Sequence, residues 1–548
     1  MIYDRPRFSV QAGEILHIEV GDEISLGCSA RVHRLFMALS KVEGVDEVTP
    51  AYASLAARVD PKSAKVASVI KAVEKAWAHG TTDEARGRLI KVPVCYEEGF
   101  APDLEWVAKN AGLKAEEVVA LHSSKEYTCM MLGFSPGFVY LDEVDPKIKA
   151  DRLETPRTKV QAGSVGIAGA QTGIYGLETP GGWRLIGRTP LTMFNAHASP
   201  PAPVGPGDRV KFERISAEEF KFVKKASAAP PSFDAGNPVL EVKQPGLFTT
   251  IQDMGRHGFR HLGVPSSGGL DVLSQLQSNY VVGNPGSSPV IEVMGGFFSI
   301  KALVDVVVAV TGGDCELTVG GTKAESYSPL LLREGDELSI GKTVGLLNYI
   351  SVAGKLAIES VMGSRSTYSK GGFGGYSGRA LKAGDLLGVE GLSDHVLMRS
   401  VLASGRTTMS EDPIRVVRGS LFGCETVEED TLLGSEFIVS EASNRTGYRL
   451  RRPERTTGAK GQTLTYPTYP GYVQMPPDGS PIVLQQDCPT TGGYQLAAAI
   501  LPSEMGRFSQ LKPGSKVRFL EVDLDSAAKA STKFQKLLQR YEAGSTGL

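Results

Sequence analysis

The chain has 548 residues, enough by length for three or four domains and several buried cores. Its 59 Lys and Arg against 61 Asp and Glu leave a formal charge of −2, so charge gives no ground for a nucleic-acid or membrane-surface partner. Hydrophobic residues at 41% and charged residues at 22% exclude global disorder, and 63 glycines, about 11% against a usual ~7%, imply many turns and mainly β structure.

The opening Met1–Pro6 has no charged-then-apolar layout, so no signal peptide is expected. The most apolar run, Val304 to Val310, is far below the ~20 residues that span a bilayer. Cys28, Cys95, Cys129, Cys315, Cys424 and Cys488 are scattered and read as reduced thiols of a cytoplasmic protein. His257 and His261 stand four apart, but in a Gly- and Arg-rich stretch without helical periodicity, so no metal centre is expected.

In chain order, residues 1–85 predict a small α/β domain. Strands are expected at His17–Val20 and Ser54–Val59, and helices at Ala30–Val42 and Pro61–Trp77. Residues 86–216 open with a helical passage, Asp103 to Leu121, and then become β-rich. They close on Gly205-Pro206-Gly207-Asp208 feeding the alternating strand Arg209–Phe212. A helical tail at Ala217–Lys225 runs into an Ala/Pro/Ser stretch, and 217–237 reads as the linker. The second half is β-rich, with helices near Leu270–Val282 and Ser526–Tyr541. Gly335-Asp336 and Gly384-Asp385 precede strands, and Lys512–Phe519 repeats the 205–212 signature. The organisation expected is therefore one barrel at 86–216, a second at 238–385, a third at 386–525 and a final helix at 526–548.

Nucleotide motifs are weak. Gly341-Lys342-Thr343 has Gly335 at the wrong spacing for a P-loop. The run Gly371–Gly378 lacks dinucleotide-binding spacing, yet Gly374 and Gly375 followed by Arg379 could cradle a phosphate. No Gly-x-Ser-x-Gly elbow occurs. Four stretches carry more polar residues and glycines than a core needs. One is Leu132–Leu141 (LGFSPGFVYL) with Thr155–Arg157, Ala162–Tyr175 and Pro180–Pro190. The others are Thr249–Pro265, Ser443–Leu450 and Val473–Tyr494. Arg157 and Arg188 are forks suited to carboxylate or phosphate, and Gln171 with Thr172 could read an amide. Trp183 is equally suited to a core.

These stretches carry a resemblance. GFSPGFVYL, AGSVGIAGAQTGIY and PGGWRLIGRTP in residues 1–216 resemble the KipI type, the 5-oxoprolinase B subunit or allophanate hydrolase subunit 1. TTIQDMGRHGFRHLGVP, SNRTGYRL and DCPTTGGYQ in residues 238–525 resemble the KipA type, the 5-oxoprolinase C subunit or allophanate hydrolase subunit 2. The pair is also similar to the carboxyltransferase region of urea carboxylase. The chain thus resembles a fusion of two usually separate subunits. The resemblance implies a mainly β protein with an α+β N-terminal domain and multiple cyclophilin-like β-barrels, one in the first half and two in the second. Gln161, Gly176 and Gln495 depart from the family's pattern, where proline is usual at each; none removes a charge.

The favoured implication is an ATP-dependent 5-oxoprolinase component. ATP, with Mg, phosphorylates the lactam oxygen of 5-oxoproline, and a LamB/YcsF-type subunit joins in opening the ring to glutamate. A resonance-stabilised amide needs such activation, and the site needs donors for phosphate and an acceptor for the lactam N–H. A second implication is a biotin-dependent carboxyltransferase acting on a urea or amide. No biotinylation motif is present, so no covalent biotin is expected on this chain. A third is a regulator of a histidine kinase. Partners expected are the LamB/YcsF-type subunit and a small amide or lactam substrate, with homo-oligomerisation left open. Candidate catalytic residues are Asp487, Asp253, Arg256 and Arg157. Substrate-binding candidates are Arg188, Thr189, Gln171, Thr172, Tyr175, Asn444, Arg445, Tyr448, Thr490 and Thr491. Arg379, Gly374 and Gly375 are the cofactor-binding candidates.

Overall fold

The computed structural model describes residues 1–11, 14–59, 66–78, 87–224, 237–392, 401, 406–407, 410–419, 432–452 and 464–542. The N-terminal unit is an antiparallel sheet in the order Ile2–Gln11, Ile15–Gly21, Ser54–Val59, Val45–Pro50. Two helices cover one face. Leu26–Leu39 starts earlier than its apolar spacing alone indicates because Ser25 caps it, its hydroxyl accepting from Cys28 N at 3.3 Å. Val66–Ala78 packs Val69 and Val73 beside Val32, Leu35 and Leu39. Residues 61–65, where a helix start is expected at Pro61, lie outside the described residues.

The expected helix from Asp103 to Leu121 is two helices, Leu104–Ala111 and Ala115–Ser124. Gly112 ends the first in a left-handed conformation, φ 66°, that an ordinary residue adopts at a cost. Seven strands then form a closed barrel in the order Gln171–Ile174, Val139–Glu143, Glu126–Leu132, Arg209–Ile215, Leu89–Cys95, Arg184–Arg188, Ser164–Ala168. Val92, Leu132, Val165, Ile186 and Phe212 fill its core. Trp183 belongs to a neighbouring aromatic cluster with Phe138 and Tyr140, at ring distances of 5.5 and 5.8 Å. Part of the expected linker is ordered helix, Ala217–Lys224, with Phe220 set 4.6 Å from the Phe100 ring; residues 225–236 lie outside the described residues.

In the second half a seven-stranded and a five-stranded sheet share one core around Val242, Ile251, Ile300, Leu338, Ile350 and Leu387. Leu386–Glu390 pairs with Pro238–Pro245, so the strand fed by the Gly384-Asp385 turn completes this unit, whereas the boundary at 385 leaves it to the next. The last unit is an eight-stranded sheet over Val416, Phe437, Tyr448, Val473 and Phe519. The repeated closing signature has a structural counterpart. Arg209–Ile215 pairs in parallel with Leu89–Cys95, and Phe519–Glu521 pairs in parallel with Ile414–Arg418, so each closing strand lies along an early strand of its own unit. The final helix, Leu524–Glu542, packs on Val272–Val281 through Leu538, Leu273 and Leu276. No helix among the described residues is long and apolar enough to cross a membrane.

The two halves interlock. Leu262, Val264, Val361, Tyr368 and Phe373 of the second half join the core of the first barrel. Ile15 and Ala56 of the N-terminal sheet pack against Tyr466, Tyr469, Tyr472 and Leu484 of the last unit. His17 Nε2 lies 2.6 Å from the Tyr472 hydroxyl, and the Thr49 and Tyr469 hydroxyls are 3.1 Å apart.

Candidate functional site

Segments 132–138, 253–271, 361–378 and 485–491 meet along the seam between the halves. The Gly133–Gly137 turn is tight: Ser135 N donates to Gly133 O at 2.6 Å, Phe138 N to Ser135 O at 3.0 Å, and Phe134 is held at φ 63°. Strain of this kind in a non-glycine residue survives where the surroundings enforce it. Here Gly137 N donates across the seam to Leu262 O at 2.9 Å. A Cβ at Gly133 would run into Thr491 Oγ1 of the last unit, so the two segments approach closely here.

Asp253 organises the second-half loops. Its carboxylate accepts from Ser364 Oγ (2.6 Å), Ser366 Oγ (2.5 Å), Gly255 N (2.9 Å) and Arg365 N (2.5 Å). With four internal donors it acts as a loop anchor rather than as a proton acceptor for a ligand. Arg256, 1% exposed, donates through Nε to Val361 O (3.1 Å) and through Nη2 to Ser366 O (3.0 Å), and its guanidinium lies 4.9 Å from the Phe373 ring. Its Nη1 is buried without a partner. Burial pulls its pKa down to about 10, against the opposing charges of Asp253 and Asp487.

Asp487 and Arg445, each 5% exposed, form a buried ion pair, Nε to Oδ2 at 3.1 Å. Arg445 also pairs with Glu292 and donates to Gly268 O at 2.6 Å. Glu292 in turn accepts from Leu270 N (2.9 Å) and the Tyr349 hydroxyl (2.8 Å). Two carboxylates raise the Arg445 pKa despite its burial. Asn444 and Tyr448 flank Arg445 and place it: Asn444 Oδ1 accepts from Thr446 N in the turn, and the Tyr448 hydroxyl donates to Ser509 O, both at 2.8 Å. Beside Asp487, the hydroxyls of Thr490 and Thr491 are buried without partners, as is that of Ser135 across the seam. Lys370 also feels Asp487, but desolvation and Arg449 hold its ammonium below the ordinary pKa.

The remaining first-half candidates are engaged within their own barrel or its neighbour, and none of their contacts among the described residues reaches Asp487, Arg256 or Arg445. Arg157 is ion-paired to Asp103 at 2.8 Å, and that carboxylate also accepts from Leu185 N at 2.6 Å. Arg188 donates to Ala162 O at 3.2 Å and to the Gln161 side chain, so one departure from the family's pattern supplies its partner. Gln171 accepts from the Tyr52 hydroxyl at 2.9 Å. Thr172 Oγ1 lies 2.9 Å from His122 Nε2 in the barrel interior. Tyr175 packs 4.8 Å from Phe138, and burial pushes its pKa up to about 12. Thr189 Oγ1 accepts from Leu191 N at 3.2 Å.

The glycine loop does not fit a nucleotide. Gly371, Gly372, Phe373, Gly375, Ser377, Gly378 and Arg379 all spend their amides on carbonyls of the same region. A Cβ at Gly374 would collide with Ser366 O and one at Gly375 with Thr367 Oγ1, so these glycines serve close packing. Arg379 is bound in a fork to Asp385 at 2.7 and 2.9 Å. Sequence reasoning passed over Ser135, Glu292 and Lys370. Ser135 stands inside one of the motifs; Glu292 and Lys370 stand outside every one, and only the fold brings them to the seam.

Residues 6–204 match the model of the carboxyltransferase domain, subdomains C and D, and residues 262–521 match that of subdomains A and B. The 5-oxoprolinase B subunit of Bacillus subtilis is 41% identical over 223 residues, covering 38% of this chain and 93% of that protein. The 5-oxoprolinase C subunit of Escherichia coli is 34% identical over 307 residues, covering 55% of this chain and 97% of that protein. The urea amidolyase of Lachancea kluyveri is 30% identical over 359 residues, 60% of this chain but 19% of that enzyme. The crystal structure of TTHA0988 superposes with a TM-score of 0.81 at 31% identity, covering 92% of this chain and 99% of that one. The mainly β fold with its barrels is that of the carboxyltransferase, cyclophilin-like structures. With both family models matched in one polypeptide, and two separate subunits each covered almost end to end, the chain belongs to the carboxyltransferase-domain family as a KipI–KipA fusion.

Proposed function

We propose that this chain is the substrate-handling component of a 5-oxoprolinase, acting on the lactam of 5-oxoproline together with ATP and a LamB/YcsF-type partner. The observation that carries the reading is the set of buried, unpartnered groups beside Asp487: Arg256 Nη1 and the hydroxyls of Ser135, Thr490 and Thr491. A lactam offers one strong acceptor, its carbonyl oxygen, and one donor, its N–H. A guanidinium and hydroxyls suit the first, a carboxylate the second. Two fixed carbonyls already hold the Arg256 fork. It can therefore meet charge developing on the lactam oxygen without reorganising, the condition under which such donors are most effective. Asp487 takes the N–H. Once ATP has phosphorylated the lactam oxygen, water would add to that carbon, the C–N bond would break with the ring nitrogen taking up a proton from the added water, and a second water would hydrolyse the resulting acyl phosphate to glutamate and phosphate. Ser135 and Thr491 close on the ring from opposite halves.

The names and coverage of the two subunit relatives support the same reading. No residue of this chain is assigned to ATP, since the glycine loop is packed inward. The five described cysteines are free thiols, which suits the reducing cytoplasm as the compartment. The test mixes the chain with a LamB/YcsF-type protein, ATP, Mg²⁺ and 5-oxoproline and follows ADP and glutamate. Both are expected only when every component is present, and Arg256→Lys or Asp487→Asn lowers turnover by about 10²-fold or more. ADP release indifferent to 5-oxoproline, or full turnover in both variants, overturns the reading.

A carboxyltransferase role is the second reading, favoured by the family description and the urea amidolyase likeness. The same donors would polarise a urea or amide carbonyl, with biotin carried on another protein. Carboxyl transfer from a biotin carrier to urea or an amide is its test.

A further inference from the structure

Two exposed cations at the seam, Lys370 and Arg449, take no part in holding the lactam carbonyl or its N–H. Both stand on firmly held backbone. Lys370 is at the tip of the turn between Tyr368 and Phe373, whose rings lie 5.5 Å apart in the core of the first barrel. Gly371 N and Gly372 N close that turn by donating to Tyr368 O at 3.1 and 3.0 Å. Arg449 is on the strand Gly447–Arg451, just beyond Arg445. Its N–H donates to Ser443 Oγ at 3.1 Å, and its carbonyl accepts from Ser440 N at 2.8 Å.

The two side chains feel each other and Asp487: desolvation and Arg449 lower the Lys370 pKa, while Asp487 raises it. Among the described residues neither has an ion-pair partner, and Asp487 is already spent on Arg445. The linked charges of the seam are therefore unbalanced. Asp253, Glu292 and Asp487 are its carboxylates, and Arg256, Arg445, Lys370 and Arg449 its cations. Three negative charges against four positive ones leave an excess that suits one anion. Arg256 and Arg445 are buried and engaged, so the surplus falls on the two exposed cations.

We propose that Lys370 and Arg449 bind a carboxylate carried by the lactam, so that the seam selects a lactam acid over a neutral lactam of the same shape. The inference rests on the reading that the seam holds the lactam, and adds to it the side chains that recognise the acid group. In 5-oxoproline the carboxylate sits on the ring carbon bonded to the nitrogen. With the N–H at Asp487, the acid group comes out beside another carboxylate. Cations on rigid backbone at that point offset the repulsion without reorganising.

Calorimetric titration of the full chain compares 5-oxoproline with 5-oxoprolinamide, the same ring with a neutral carboxamide in place of the acid. 5-Oxoproline is expected to bind about tenfold more tightly. Lys370→Gln and Arg449→Gln each cut that preference to about threefold, and the double variant removes it while affinity for the amide changes little. Both side chains are exposed, so the variants are expected to melt at the wild-type temperature. Equal affinity for the two compounds, no binding of either, or an undiminished preference in the double variant overturns the inference. So do variants that weaken MgATP but keep the preference, since the cations would then serve phosphate. Turnover to ADP and glutamate decides the oxoprolinase reading separately. Turnover without the preference leaves that reading standing and removes this inference; a preference lost in the double variant of a chain without turnover does the reverse.

Discussion

Arg445 holds two carboxylates at once inside the protein, and its value to the fold is set by what its loss would leave behind. Arg445→Met strands Glu292 and Asp487 as buried charges and is expected to lower unfolding free energy by ~3–5 kcal/mol in urea titration. Adding Glu292→Gln and Asp487→Asn to that variant should recover part of the loss; a single variant as stable as wild type would contradict the assignment. At this scale the sequence was informative where chemistry is concentrated in a motif. Asp487, Arg445, Arg256, Thr490 and Thr491 all reach the seam. Residue type alone could not tell a free guanidinium from an engaged one. Arg157 reads as an anion fork and Arg379 as the end of a phosphate cradle, but each has an Asp partner, Asp103 or Asp385, that lies outside the family motifs.

Elements meet closely enough that single atoms matter. Gly133→Ala places a methyl group against Thr491, and is expected to destabilise by ~1–3 kcal/mol. Thr491→Ala in the same chain should relieve most of that, a coupling readable in a double-mutant cycle. Two wholly buried histidines give the elements a pH dependence. His17 on the Ile15–Gly21 strand and His122 in the Ala115–Ser124 helix are both held neutral by burial, their pKa values lowered to about 3. The unfolded chain takes up these protons near pH 6.5 and the folded one does not, so the stability they contribute is present above about 6.5 and falls as pH drops towards about 3. Each contributes up to about 1.4 kcal/mol per pH unit across that window. Urea midpoints should therefore decline between pH 7 and pH 5, and decline less in His17→Gln. A slope unchanged in that variant would remove His17 from the account. Helix existence was legible from apolar spacing, whereas helix ends were not, since Ser25 and Gly112 decide them through a cap and a left-handed residue that periodicity does not register.

For the whole molecule, the two shared cores predict that chain continuity is not what keeps the halves together. Residues 1–224 and 237–548 produced as separate chains in one cell should co-purify and elute as a single species; elution as two would show that the tether is required. The repeated turn-and-strand signature made the barrels legible, but the interlocking was not, because nothing local in residues 15–56 announces a partner at residues 466–484. That separation has a consequence during synthesis. His17 meets Tyr472 across 455 residues, and at ordinary elongation rates the interval between their emergence is roughly 20–90 seconds. Until then the nascent N-terminal sheet displays Ile15 and Ala56 uncovered. A sheet that emerges early is thus among the last parts of this chain to be sheltered, and on the ribosome it would be a client for chaperones long before its partner strands appear.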